Sequence, residues 1–410
     1  MKRHQTDIVV AGGGVAGLTA AATLGAAGFS VICVDPAPPV TDGQDPLADL
    51  RTTAFLQPAR DLLDAAGLWS RLAPEATALQ VMRIVDASGT DGAPRVSRDF
   101  DAADLGDAPF GWNLRNWVLR REMVARLAEL GCVDFRPGTG FKSMLAREKT
   151  AIVTLTDGTQ VEARLVIAAD GRNSAVRSAA GIDVSTTRYG QKALSFAVTH
   201  DAQHDNVSTE VHQSGGPFTL VPLPDFNGQP CSAVVWMETG AEALRLANLP
   251  KPEFEAAATD RSAGLYGQLT LVAGPQVWPI ISQVAERMDG PRVALMAEAA
   301  HVVPPIGAQG LNMSLSDLAT LRDLAVAAPG DLGSGEMLAT YNRRRHTEVR
   351  LRVAGVDALN RASMAASPLI HDLRVAGIKA LYGAAPVRHS LMRLGLGAGA
   401  GAGAGTGAGR

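Results

Sequence analysis

The sequence predicts an α/β protein with a Rossmann-like dinucleotide-binding domain, an interleaved second domain built on an antiparallel sheet, and C-terminal helices. Three observations predict it. The first 35 residues read strand, glycine turn, helix, strand. Residues 190–240 shift to short β-like runs, "ALSFAV", "STEVHQ", "FTLVPL" and "SAVVWM". A buried-strand pattern then returns at Arg292–Ala297 and leads into a glycine-containing turn and an apolar helix. At 410 residues the chain is too long for one simple core. The expected division gives residues 1–75, 111–180 and 277–330 to the first domain and 76–110 with 181–276 to the second. Residues 331–394 supply the C-terminal helices, and 395–410 form a Gly/Ala tail with nothing to bury, expected to be disordered.

Each element has a local cause. Ile8–Ala11 is a continuous small apolar run of the kind a buried parallel strand shows. Gly12, Gly14 and Gly17 fit G-x-G-x-x-G, with Val15 and Ala16 opening the helix that follows. Their roles in such a fingerprint are a tight turn, close approach to a pyrophosphate, and close packing of helix on strand. The alanine-rich helix ends near Gly28, and a second strand, Ser30–Val34, ends in Asp35, a carboxylate placed to accept hydrogen bonds from a ribose. After the loop Pro36–Pro46, apolar residues recur at helical spacing beyond Arg51. A second helix follows Asn116, read as its N-cap, and places Leu119, Met123, Leu127 and Leu130 on one face before Gly131. "TAIVTLTDGTQVEARLVIAADG" holds an alternating strand, an Asp157-Gly158 hairpin turn and the apolar strand Leu165–Ala169, which ends at Asp170. Helices are expected at Leu311–Ala325, around Tyr341–Arg352 and at Leu369–Leu381.

Composition excludes several functions. The formal charge is −3 with 5% aromatic residues and no basic block, which argues against nucleic-acid binding. Cys33, Cys132 and Cys231 lie far apart without a CxxC, which suits a reducing compartment and no zinc site. The basic, then apolar N-terminus resembles a signal peptide, but consecutive glycines interrupt the apolar run and it is too short to span a bilayer. A cytoplasmic, soluble protein is the reading. His200 and His204 would make a metal pair only on a helix, and they fall between β-like runs, so no metal is expected. No nucleophile–base arrangement is evident, which leaves the catalytic residues unknown and suits chemistry carried by a cofactor.

"AEAAHVVPPIGAQGLN", Ala297–Asn312, is a poor way to build a core. It is a good way to bring backbone N–H groups to a ligand, because glycine removes Cβ and a helix start offers free donors. His301, within it, is compatible with a core role or a proton-handling one.

Four segments together resemble the FAD-dependent aromatic hydroxylases of the p-hydroxybenzoate hydroxylase type, and within them the ubiquinone-biosynthesis polyprenyl-phenol hydroxylases. They are "GGGVAG" with Asp35, "LRTTAF" at Leu50–Phe55, "AADGRNSAVR" at Ala168–Arg177, and "EAAHVVPPIGAQGLNMSLSDL" at Glu298–Leu318. Their order and spacing agree over nearly the whole chain up to about Gly395. The resemblance implies that Gly12, Gly14, Val15, Ala16 and Gly17 hold the ADP half of FAD, with Asp35 on the ribose. It further implies that Arg51 and Arg120 meet the pyrophosphate region, and that Asp170 lies between the cofactor and nicotinamide routes. Glu298 would meet the ribityl chain, and Pro305, Gly307, Gly310, Leu311 and Asn312 would shape the turn against the isoalloxazine. Of the neighbours Arg120 and Arg121, one is expected to turn inward.

The implied activity is hydroxylation of the ring of a polyprenyl phenol, with NADPH or NADH and O₂, through a flavin C4a-hydroperoxide. The second domain would form the other wall of the pocket, with Trp236 either lining a prenyl channel or in a sandwich core. Access to such a lipophilic phenol implies peripheral contact with the inner membrane or a biosynthetic complex, and self-association is compatible with the family. Two alternatives stand beside this: a hydroxylase of a small soluble aromatic acid, which would need a cation in its pocket, and a non-catalytic partner protein. The one departure from the family pattern is Ala297-Glu298, where Gly-Asp is usual. It adds a Cβ and a methylene where backbone approach is wanted, which bears on tight retention of FAD.

Overall fold

In the computed structural model the described residues are 4–45, 47–49, 51–89, 94–213, 215–364, 389 and 392. The expected helix at Leu369–Leu381 and the Gly/Ala tail lie outside them.

Among the described residues, two eight-stranded sheets and one small three-stranded sheet carry the fold. The first sheet runs Asp289–Gly290, Val293–Leu295, Gln160–Ala168, His4–Ala11, Val31–Asp35, Val133–Pro137, with Ala151–Leu155 and then Phe141–Ala146 branching off Gln160–Ala168. From Val293–Leu295 to Val133–Pro137 the neighbours pair in parallel, with Val10 opposite Ile167 on one side and Cys33 on the other. The strands are apolar on both faces because both are covered. The helix Val15–Ala26 buries nearly all of its length against the sheet, and the helices Asn116–Glu129 and Gln309–Ala327 complete the same core. That helix packs closely because Gly17 lacks a side chain: a Cβ there would sit 1.9 Å from the Gly12 carbonyl oxygen.

The second sheet orders His301–Val302, Thr270–Ala285, Val184–Thr199, Gln229–Thr239, Pro217–Phe226, Val207–His212, Val81–Asp86, Val96–Asp101. Its neighbours are antiparallel except Val207–His212 with Val81–Asp86, which run parallel because the chain reaches them from distant parts of the sequence. One face, with Leu194, Phe196, Phe218, Leu220, Val234 and Trp236, is sealed by the helices Gly240–Ala247 and Lys251–Arg261. Trp236 stands edge-on to Phe218 and is buried, so it belongs to this sandwich core.

Two local expectations change. The segment after Arg51 is a strand, Thr52–Leu56, before it becomes the helix Gln57–Ala65. Consecutive β-branched threonines pair with Gly111–Arg115, and Pro58 at the helix start sets where the helix can begin. Asn116 is the first helical residue and does not cap. Its amide accepts from the Thr53 hydroxyl at 2.8 Å and donates to Asp49 at 3.1 Å. The last described helix, Gly335–Met364, is continuous and joins the two parts of the molecule. Tyr341 near its start donates to the Leu295 carbonyl at 2.7 Å, and Asn360 near its end donates to Gln191 at 2.9 Å.

Candidate cofactor and substrate site

The parallel strands of the first sheet end side by side, and the predicted residues gather at those carboxyl ends. Ala11 runs into Gly12, Ala168 into Asp170, Leu295 into Ala297, and the next strand closes on Asp35. A crevice outside the carboxyl ends of such strands is where an open α/β sheet binds ligands. Gly12 has φ +119°, and a Cβ there would lie 2.2 Å from the Ala169 carbonyl oxygen, so only glycine makes this turn. Gly14 differs. Nothing lies within 4 Å of where its Cβ would be, and no side chain caps the helix it opens. Gly14, Val15 and Ala16 are half-buried, with first-turn donors facing outward. The protein itself does not require glycine here, whereas a ligand approaching the helix start would.

Asp35 is set by the backbone: Gly13 N–H donates to Oδ2 at 2.5 Å and Ala37 N–H to Oδ1 at 2.8 Å. Each oxygen keeps a lone pair for a ribose hydroxyl. Asp170 accepts from Val176 N–H through Oδ2 at 3.1 Å, while Oδ1 is buried without a partner. An orphaned buried carboxylate oxygen is costly unless something completes it. Arg177, which sequence reasoning passed over, ties this region to the next. Its buried guanidinium donates to the carbonyls of Arg172 and Ala299, each at 2.9 Å.

The two predicted arginines meet at a residue the sequence did not single out. Asp49 accepts a two-pronged contact from Arg51 at 2.8 Å, and contacts from Arg120 at 3.3 Å and the Asn116 amide. Burial opposes charge on Asp49, yet Arg51, Asn116 and Arg120 outweigh it and hold the carboxyl below its ordinary range. One carboxylate against two guanidiniums leaves a net positive charge, suited to an anionic diphosphate. Burial works against the charge on Arg51, but Asp49 and then Glu298 offset it and keep the guanidinium protonated. Its flat face lies 4.3 Å from the Trp278 ring. Arg121 turns away to Glu75, Glu122 and the Trp117 ring, so Arg120 is the inward member of the pair. The only local hint of Asp49 was an acid two residues before Arg51. Nothing nearby announces that Asn116 and Arg120 will share it.

The Ala297–Asn312 segment carries the other half of the crevice. Glu298, Pro305, Gly307, Ala308 and Gly310 are exposed, and Leu311 is half-buried. Gly307 and Gly310 meet little: a Cβ would touch only Gln309 and Val303, at 3.8 and 4.0 Å. Asn312 is used differently from the expectation. Its side chain accepts from Leu56 N–H at 3.0 Å and donates to the carbonyls of Ala54 and Ala308, at 2.8 and 2.7 Å. It staples the helix start to the strand after Arg51, so any contact with a ring falls to the backbone of Gly310–Asn312. Ala297, where glycine is usual, adopts φ +54°, a left-handed conformation that costs an alanine about 1 kcal/mol.

His301 is a core residue. Its Nε2 meets Asp317 at 2.7 Å, and Arg345 donates to the other Asp317 oxygen at 2.8 Å. His200 contacts the Ala202 carbonyl and the Ser232 hydroxyl, and His204 the Leu223 carbonyl and Asn206 N–H. All four of their ring nitrogens are thus engaged by the protein.

Against this segment lies the second sheet's other face. Ala193 and Met237 pack on Ile306, with Val235 and Val303 beside them. Ser195, Ala197, Thr219, Val221 and Ala233 continue that face by strand alternation. It is apolar and half-buried, unlike the sealed face behind it. The donor set would suit FAD: two cations that could meet a diphosphate, carboxylate acceptors that could meet ribose hydroxyls, and a bare helix start flanked by glycines.

Comparison with known proteins shows the family and the fold. The family model described as FAD binding domain matches residues 5–355. Ubiquinone hydroxylase UbiL of Rhodospirillum rubrum is 32% identical over 396 residues, covering 94% of this chain and 88% of that protein. The 3-demethoxyubiquinol 3-hydroxylase of Escherichia coli is 27% identical over 400 residues, covering 97% of this chain and all of the relative. Among solved structures, p-nitrophenol 4-monooxygenase PnpA of Pseudomonas putida superposes with a TM-score of 0.77 at 19% identity, covering 97% of this chain and 99% of PnpA.

Proposed function

Since the chain belongs to the FAD-binding aromatic hydroxylase family, we propose that it hydroxylates the ring of a polyprenyl phenol in ubiquinone biosynthesis, with FAD as cofactor and NADPH or NADH as reductant. The observation that carries the substrate class is the sheet face against Ile306, where Ala193, Val235 and Met237 present hydrocarbon.

In this reading Gly12–Gly17 and Asp35 hold the adenosine half, while Arg51 and Arg120, steadied by Asp49, hold the diphosphate. Asp170 completes its open valence on the bound dinucleotide or on the approaching nicotinamide. Glu298 accepts from ribityl hydroxyls, and the Gly310–Asn312 backbone presents N–H donors and the positive helix end to the ring's pyrimidine edge. Bound FAD supplies oxygen activation and transfer of a hydroxyl to the phenol. The protein's part is to orient the phenol on the second sheet and exclude water from between the two walls. We read residues 1–75, 111–180 and 277–330 as the cofactor domain and 76–110 with 181–276 as the substrate domain.

Access to a membrane-dissolved phenol by peripheral contact is part of the same reading. Among the described residues no helix is long and apolar enough to cross a membrane. The helix Gly335–Met364 exposes Arg343, Arg344 and Arg350 beside Leu351 and Leu359, a face compatible with an anionic surface.

The test is FAD titration of purified protein, followed by substrate-dependent NAD(P)H oxidation with product analysis. Ring hydroxylation of a short-chain prenyl phenol, with 4-hydroxybenzoate inert, is the expected result. Tight FAD binding with no phenol-stimulated oxidation would overturn the reading and favour the partner-protein alternative.

A further inference from the structure

Among the described residues, this sheet face also carries an acid–imidazole pair that the cofactor site does not use. Register sets Val235 opposite Thr219 and Thr219 opposite Glu210, while Met237 continues through Pro217 to His212. Between them Val211 points the other way into the sealed core, so Glu210 and His212 share the face that packs on Ile306. His212 Nε2 meets one Glu210 oxygen at 2.7 Å, and both side chains are largely shielded, at 12% and 20% exposure. No other protein partner of the Glu210 carboxylate occurs among the described residues, and His212 Nδ1 is buried without one. Asp86, next across from His212, is buried on Ser88.

A carboxylate held on a half-buried, largely apolar wall, with an imidazole nitrogen 2.7 Å from one oxygen, has an acceptor left for a ligand donor. A phenolic O–H is such a donor. An aryl carboxylate is the opposite: it would bring a second negative charge to the same wall. We propose that Glu210, oriented by His212, is the residue that selects a neutral phenol over an aromatic carboxylate, by accepting the substrate's phenolic hydrogen bond. This inference rests on the polyprenyl-phenol reading and deepens it. Glu210 is here a specificity residue, and His212 a positioning residue that acts through it.

The test is calorimetric binding to the FAD-loaded protein of 2-(3-methylbut-2-enyl)phenol, its methyl ether and the matching benzoate. The wild type is expected to bind the phenol at least about tenfold tighter than the ether, because the ether cannot donate, and to bind the benzoate most weakly. Glu210→Gln should bring phenol and ether to within about twofold and strengthen benzoate binding. His212→Gln should give a smaller loss, and Glu210→Asp should restore the rejection of benzoate. Melting temperatures identify any variant that fails to fold, in which case Glu210→Asp and His212→Gln carry the comparison. A Glu210→Gln protein that melts normally and keeps the wild-type phenol-to-ether ratio overturns the proposal, and continued hydroxylation of the phenol by the wild type then leaves the proposed function intact. A wild type that does not bind the phenol overturns both.

Discussion

Replacing Asp317 by Asn should destabilise the protein by about 3 kcal/mol, within the range for breaking a buried ion pair by removing one partner. Asp317 is fully buried, with His301 on one oxygen and Arg345 on the other. Arg345 is itself only 4% exposed, and its remaining charged contact is Glu348. The variant therefore leaves a guanidinium in the core with one carboxylate instead of two. With an unfolding entropy of roughly 2.1 cal/mol/K per residue, a chain of this size unfolding as one unit would lose about 4 °C in Tm. The pairing can be isolated by a cycle with Arg345→Met, since removing both charges should cost less than the sum of the single changes by at least about 1 kcal/mol. Acid titration gives a second readout. Burial pushes the Asp317 carboxyl up, but His301 and Arg345 outweigh it, so its folded pKa lies below the unfolded value. A depressed carboxyl pKa contributes stability that is fully present above the unfolded value of about 3.9 and lost as pH falls through the folded one. The wild-type advantage over Asp317→Asn should thus persist at pH 5–7 and shrink below about pH 4. A Tm within about 1 °C of wild type, or strictly additive single changes, would refute the ion-pair argument.

Gly14→Ala should leave the melting temperature of FAD-free protein unchanged, because a Cβ there meets nothing, yet weaken FAD binding on the order of tenfold or more. Gly17→Ala should do the reverse in kind, destabilising the fold itself by more than about 2 kcal/mol, since its Cβ would meet a backbone oxygen. Equal effects of the two on FAD-free stability would remove the argument that Gly14 is bare for a ligand. Ala297→Gly should raise the urea midpoint slightly: relief of the left-handed alanine, about 1 kcal/mol, is partly offset by glycine's greater freedom when unfolded. A lowered midpoint would show that this turn holds alanine without strain.

The first sheet was legible because its signals are local. Ile8–Ala11, the glycine turn and Asp35 lie within one βαβ unit, so spacing alone places the carboxylate beside the turn, and Gly13 N–H meets it. The same holds for Asp157-Gly158 and the strand that follows it. The strand Thr52–Leu56 was hidden because its partner, Gly111–Arg115, comes more than fifty residues later. A helical reading of the apolar spacing is sound there until the pairing is known. Asn116 was misread for the same reason: N-cap preference is a local rule, and the groups that claim its amide, Thr53 and Asp49, are brought by the fold.

What the sequence hid most completely is the set of charges that hold other charges. Arg51 and Arg120 stand out as candidate phosphate ligands, but two guanidiniums placed side by side without a counter-charge would repel each other when no ligand is bound. Asp49 resolves that conflict, and it sits two residues from Arg51 and seventy-one from Arg120. Asp317 does the same for His301 and Arg345 across the base of the ring-side segment. Glu210 and His212 are the contrasting case: His212 Nε2 lies 2.7 Å from one Glu210 oxygen, and among the described residues no other partner meets that carboxylate. Within one chain, then, the acids that finish their valences on protein groups stabilise the cofactor crevice. Those that do not, Asp170 at the sheet end and Glu210 on the second sheet's face, are where we propose that bound molecules donate.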